Sequence, residues 1–179
     1  RIPFLSAMAL LGVKDGQGSS YPEMVDALAR HGAQAKKDAH ALYRRVAFNV
    51  LVSNVDDHLR NHGFLRIDKS GWTLSPAYDL TLNADEGRDY QGLTPNTFGS
   101  TPRLTTLAAV AADAGIGRDE FDKIDAEVSA VIQRWPEFAA AAELPAAVAE
   151  RAAAIHLGVA NVLATEVTAK RGKRRKLWE

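Results

Sequence analysis

Apolar positions follow a helical rhythm along most of this chain and change to a two-residue alternation in one place only. Ile2 to Leu11 is an apolar run that reads as a helix, with Gly12 as its C-terminal stop. Gly12 to Ser20, GVKDGQGSS, reads as a flexible loop. No strand precedes its glycines and no Gly-Lys-Ser/Thr closes it, which argues against a phosphate loop. Pro22 suits the first turn of a helix that ends near Gly32. From Lys36 to about Ser53, Ala39, Leu42, Tyr43, Val46, Ala47 and Val50 recur at helical spacing. Phe48, Leu51 and Val52 fill the other faces, so the end of that helix is predicted to be buried all round.

The period then changes. GFLRID and GWTLS alternate apolar and polar residues around Asp68-Lys69-Ser70-Gly71 and predict a β-hairpin. PAYDLTLN follows, then a polar loop from about Ala84 to Ser100. Thr101-Pro102 combines a cap with a first-turn proline and predicts a helix to about Gly115. The next predicted helix runs from Arg118 to Trp135, with Phe121, Ile124, Val128, Val131 and Ile132 on one face. A short helix follows Pro136. The last starts at Pro145 and carries Val148, Ala152, Ile155, Val159 and Val162 inward. No internal repeat and no second domain is visible. The expected domain covers residues 1–169, and a basic tail occupies 170–179.

Composition narrows the functional classes only slightly. The chain has 179 residues, enough for one domain with a real core. Acids and bases balance at 22 each, so net charge selects no partner. There is no cysteine, which excludes disulfides and thiolate metal sites and suits a reducing cytoplasm. No apolar run approaches the ~20 residues that span a bilayer. The chain opens on Arg1 rather than Met and goes straight into an apolar pattern, so it reads as a piece of a longer protein or a processed product.

The candidate chemistry is concentrated in NVDDHLRNHGF, Asn54 to Phe64, which follows directly on the buried helix end. Asp56 and Asn61 share this loop, and Asp79 lies beyond the hairpin. An antiparallel hairpin returns the chain to where it left, so Asp79 is expected close to Asn61. Oxygen donors of this kind suit Mg²⁺ better than zinc. Asp-x-x-x-x-Asn followed by a hairpin and a second Asp is the layout of phosphoryl transfer, where one carboxylate takes the hydroxyl proton and an amide and a second carboxylate hold the metal. His58 and His62 have the four-residue spacing of helical zinc ligands, but a zinc hydrolase needs Glu after the first His, and Leu59 stands there. Asp57 reads as a solvated neighbour or helix-dipole partner rather than a catalyst, and His62 as an exposed residue.

NVDDHLRNHGFL together with GWTLSPAYDL closely resembles the C-terminal half of HipA-like serine/threonine kinases, the toxins of bacterial toxin–antitoxin pairs. The family loop reads Asp-x-His-x-Lys/Arg-Asn, matched by Asp56, His58, Arg60 and Asn61, and its metal Asp follows Pro-x-Tyr, matched by Pro76, Tyr78 and Asp79. RIPFLSAMALLG is similar to the segment that opens this half in many members. The resemblance is strongest over residues 1–82. It implies a mainly α fold, the helical C-lobe of a protein-kinase-like, HipA-type domain with one small β-hairpin next to the site. It implies that Asp56 is the catalytic base, that Asn61 and Asp79 bind Mg²⁺, and that His58, Arg60 and Tyr78 lie along the ATP phosphates. It further implies a protein substrate, a HipB-like DNA-binding antitoxin as partner, and through it an indirect association with DNA. Phosphatidylinositol-type lipid kinases share the Asp-x-His-x-x-Asn order, so a lipid substrate is an alternative, as is a non-catalytic interaction module. The glycine-rich loop and strand lysine of a working kinase are expected upstream of Arg1, and the isolated chain is therefore expected to be inactive.

Overall fold

The structure, a computed structural model, describes residues 1–14, 17, 19–54, 56–81 and 104–155. The predicted loop at 84–100, the cap at Thr101-Pro102, Val159, Val162 and the basic tail lie outside these residues.

The chain begins with a short strand, β1 (Phe4–Ser6), followed by helix α1 (Ala7–Leu11). The continuous helix expected from Ile2 is therefore wrong in its first half. Phe4, Leu5 and Ser6 pair antiparallel with Leu65, Phe64 and Gly63, and Arg66 N–H extends the ladder to the Pro3 carbonyl at 3.0 Å. A short apolar run is locally ambiguous between strand and helix, and a partner far along the chain decided this one. Ser6 then caps α1 through a 3.3 Å bond from Ala9 N–H, and Gly12, at φ 68°, closes it in the left-handed conformation.

Helices α2 (Tyr21–His31) and α3 (Ala35–Leu51) follow as expected, and Pro22 lies in the first turn of α2. Glu23 reaches back to Ser20 N–H at 2.7 Å, which satisfies one of the free donors of that helix start. Helix α3 forms the centre of the molecule. Leu42, Tyr43, Val46 and Val50 are buried against Met24 and Leu28 of α2, Leu107 of α4 (Leu104–Asp113) and Ile124 of α5 (Arg118–Gln133). At its end Asn49, Val50, Leu51 and Val52 are all buried, as the apolar pattern predicted.

The hairpin forms where the alternation placed it. β2 (Gly63–Leu65) pairs with β3 (Thr73–Leu74), and with β1 they make a three-stranded antiparallel sheet in the order β1-β2-β3. The hairpin's far end is docked on the α2–α3 connection: Trp72 N–H bonds the His31 carbonyl at 2.9 Å, and Ala33 N–H bonds the Trp72 carbonyl at 2.7 Å. Gly71 permits this approach. Its φ is 142°, and a Cβ there would lie 2.6 Å from the His31 carbonyl oxygen.

Two inward assignments are corrected. Val131 of α5 is 47% exposed and lines, with Phe48 and Leu80, a cavity of about 320 Å³. Val148 is also exposed, whereas Ala152 in the helical stretch 146–155 is buried. Trp135 opens α6 (Trp135–Ala141) and donates its ring N–H to the Ala149 carbonyl at 2.9 Å. Among the described residues no helix is long and apolar enough to cross a membrane.

Candidate active site

The loop starts from a specific helix ending. Asn54 N–H bonds the Asn49 carbonyl at 2.8 Å, Ser53 N–H bonds the Val50 carbonyl at 3.2 Å, and Ser53 has φ 53°. This is the Schellman pattern, usually completed by glycine, so a non-glycine residue here carries backbone strain. The turn reverses the chain at the end of a helix that is fixed in the core.

Asp56 is exposed, and its main chain is held on both sides. Its N–H donates to Asn54 Oδ1 at 3.2 Å, and its carbonyl accepts from Asn61 Nδ2 at 3.2 Å. A 3₁₀ turn, Leu59–Asn61, shapes the rest of the loop, with Asn61 N–H bonded to the His58 carbonyl at 2.9 Å. His58 thus braces the loop through its main chain. The His58 ring is half-buried, and its Nδ1 has no hydrogen-bond partner among the described residues.

Asp57 and His62 are not the bystanders the sequence suggested. Each is 1% exposed. Asp57 Oδ1 meets His62 Nε2 at 2.8 Å; Oδ2 accepts from Asn49 Nδ2 at 2.8 Å and from the hydroxyl of Tyr21. Burial alone would raise the Asp57 pKa. The bond and charge of His62, then the Tyr21 and Asn49 donors, outweigh it and hold the carboxyl below its usual range. Burial, and next the Asp57 charge, push the Tyr21 phenol well above its ordinary value. Neighbouring acids thus face opposite ways: Asp56 to solvent, Asp57 into the core.

The segment after β3 forms the far wall. Arg45 of α3 donates to the Ser75 carbonyl, and Ser75 N–H bonds the Gly63 carbonyl at 2.8 Å. The Tyr78 hydroxyl donates to the Arg60 carbonyl at 2.6 Å, and its ring tilts against Phe4 with centroids 6.5 Å apart. Thr81 Oγ1 donates to Asn54 Oδ1 at 3.0 Å. Asp79 therefore lies on a stretch tied to the loop on either side, through Tyr78 and through Thr81. It is exposed, with φ 53°, a left-handed conformation that Asp tolerates better than most residues but still at a cost.

The hairpin return thus brings the Asp79 segment back to the loop bearing Asp56, His58, Arg60 and Asn61. The donor types fit a hard divalent cation: the Asn61 amide spends its N–H on the Asp56 carbonyl, which turns its oxygen the other way, and Asp79 adds an exposed carboxylate. Sequence reading missed Asn49, which is fully buried beneath this loop. Its signal was one amide inside an otherwise apolar run.

Comparison with known proteins agrees with this architecture. A curated relative, "Putative kinase Y4dM" of Sinorhizobium fredii (strain NBRC 101917 / NGR234), is 36% identical over 73 residues, covering 40% of this chain and 17% of that protein. The solved HipA of Shewanella oneidensis MR-1, in a complex with HipB and its operator DNA, superposes with a TM-score of 0.67 at 20% identity. That match covers 92% of this chain and 46% of the solved one, so the chain spans less than half the length of either relative. Its fold is the mainly helical, kinase-like fold of HipA. The family described as HipA-like C-terminal domain matches residues 1–156, and this chain belongs to it.

Proposed function

We propose that this chain is the catalytic C-lobe of a protein kinase that transfers the γ-phosphoryl group of ATP to a serine or threonine hydroxyl. The observation that carries this reading is the joining of two segments, the loop from Asn54 to Asn61 and the stretch from Tyr78 to Thr81. Asn61 bonds Asp56, Tyr78 bonds Arg60, and Thr81 bonds Asn54, which supports a common site for Asp56, Asn61 and Asp79 in the phosphotransfer layout.

In this reading Asp56 accepts a hydrogen bond from the substrate hydroxyl and takes its proton as the oxygen attacks the γ-phosphorus. The bond from that phosphorus to the β–γ bridging oxygen breaks, and ADP leaves. Asn61 and Asp79 hold Mg²⁺, which would neutralise charge on the ATP phosphates. His58 and Arg60 flank the phosphates. Tyr78 works beside them as a brace, since its hydroxyl is engaged by the Arg60 carbonyl. The partner proposed is a HipB-like antitoxin that brings the protein to DNA. The likeness to a HipA solved with HipB and operator DNA supports this, as does membership of the family.

The test is phosphate transfer from labelled ATP by the full-length gene product and its Asp56→Ala variant. Turnover is expected to fall by about 10³-fold or more. Undiminished turnover in Asp56→Ala would overturn the assignment.

A further inference from the structure

Four side chains form one continuous, polarised line of hydrogen bonds beneath the loop. Asp57 Oδ2 accepts from Asn49 Nδ2 at 2.8 Å. Asn49 Oδ1 accepts from Asn54 Nδ2 at 3.2 Å. Asn54 Oδ1 accepts from Asp56 N–H at 3.2 Å and from Thr81 Oγ1 at 3.0 Å. The direction of the line has one origin. An ionised carboxylate only accepts, so Asn49 must present its N–H to Asp57. Its oxygen then faces Asn54, which must present its own N–H in turn. The Asn54 oxygen is left facing the main chain of Asp56 on one side and Thr81, two residues after Asp79, on the other.

We infer that Asn49 and Asn54 are positioning residues: they set the separation between Asp56 and the Asp79 segment, and buried Asp57 fixes their orientation. The inference rests on the phosphotransferase reading above and deepens it. Several features support a built device. Asn49 is 0% and Asn54 1% exposed, and every amide atom used in the line is satisfied by another member. Buried amides in an apolar helix end are retained at a cost unless fully bonded. The Asp57 anchor is itself held by Tyr21 from α2 and by His62 just before β2, so three parts of the fold converge on the origin of the line. Asn54 Oδ1 touches both halves of the proposed site, Asp56 N–H on one side and Thr81 on the other, and adds to the tie that Tyr78 makes to Arg60.

Thr81→Val in the full-length gene product tests this. The substitution removes one hydroxyl from an exposed side chain and keeps its shape. The Mg²⁺ concentration giving half-maximal phosphate transfer is expected to rise about tenfold, the usual cost of losing a group that orients a metal ligand. The melting temperature is expected to stay within about 1 °C of the parent, because an exposed isosteric change away from the core costs little. Calorimetric affinity for a non-hydrolysable ATP analogue in the presence of Mg²⁺ is expected to weaken by the same factor. Thr81→Ser, which keeps the hydroxyl, is expected to restore both. A Thr81→Val protein whose Mg²⁺ requirement and analogue affinity equal the parent's would overturn the relay. The two readings fail separately. Turnover surviving Asp56→Ala removes the phosphotransferase assignment, whereas loss of turnover in Asp56→Ala with an unaltered Thr81→Val removes only the relay.

Discussion

Asn61 donates its side-chain amide to the main-chain carbonyl of Asp56 at 3.2 Å, a contact between residues five apart in sequence. The residue proposed to hold the metal therefore also fixes the backbone of the residue proposed to take the proton. Asn61→Asp separates these roles, since it keeps an oxygen donor but offers no N–H to the Asp56 carbonyl. Turnover of the full-length protein is expected to fall about 10- to 100-fold. Steady-state kinetics across a Mg²⁺ titration measures this, and parental turnover in Asn61→Asp would show that the brace is dispensable.

The Asp57 cluster predicts a stability effect of a different size for each partner. Asp57→Ala leaves Tyr21, Asn49 and His62 without their buried acceptor and is expected to destabilise the fold by about 3–5 kcal/mol. Tyr21→Phe removes one donor and is expected to cost about 1–2 kcal/mol. Because the carboxyl is held below its unfolded value, its contribution is complete above the ordinary carboxylate range and is lost as pH falls through the lowered folded value. Urea unfolding of both variants checks the order. An Asp57→Ala protein as stable as Tyr21→Phe would contradict the buried-anchor role.

Asp125 behaves in the opposite sense. It accepts from the Tyr43 hydroxyl at 3.2 Å between α3 and α5. Burial raises its pKa to about 6; the Tyr43 bond opposes this and the Asp122 charge adds to it. A raised carboxyl stabilises the fold below its unfolded pKa of about 3.9, and that stability is lost as pH rises through about 6. Asp125→Asn keeps an acceptor for Tyr43 without the charge. Its melting temperature relative to the parent is expected to climb from pH 4 to pH 6.5 and level off above. The gain at pH 7.5 is expected to approach about 3 kcal/mol. A gain that does not change with pH would refute the buried charge.

Gly71→Ala tests how firmly the hairpin is docked. With φ 142° and a new Cβ 2.6 Å from the His31 carbonyl oxygen and 2.9 Å from the Ala33 nitrogen, the main chain on both sides must move. The expected loss is about 2–4 kcal/mol. Amide exchange at Trp72 and Ala33 is expected to accelerate together, because their bonds link the hairpin to the α2–α3 connection. Protection retained at both positions would show that the docking tolerates the methyl group.

The helices and the hairpin were legible in the sequence because each buries a regular face. Leu42, Tyr43, Val46 and Val50 repeat at the helical period, and Phe64 to Leu74 changes to the strand period across a turn. β1 was not legible, since Phe4 to Ser6 becomes a strand only when β2 is beside it. Asp56, Asn61 and Asp79 were singled out from their spacing, and His58, Arg60 and Tyr78 from the family resemblance, all without their supports. Tyr21 lies 36 positions from the Asp57 it bonds, and nothing local to either residue announces the other.

The sequence by itself determined the mainly helical class, the buried platform of α3 and the residue types available at its edge, because periodicity and composition are local properties. Only the tertiary structure decided which of two adjacent acids faces solvent. Asp56 and Asp57 are chemically identical in the chain. What separates them is a buried hydroxyl, amide and imidazole converging on one carboxylate, while the other keeps its side chain in water. Burying a charge is favourable only where such partners meet, and partners from α2, α3 and the start of the sheet meet only once the chain has folded.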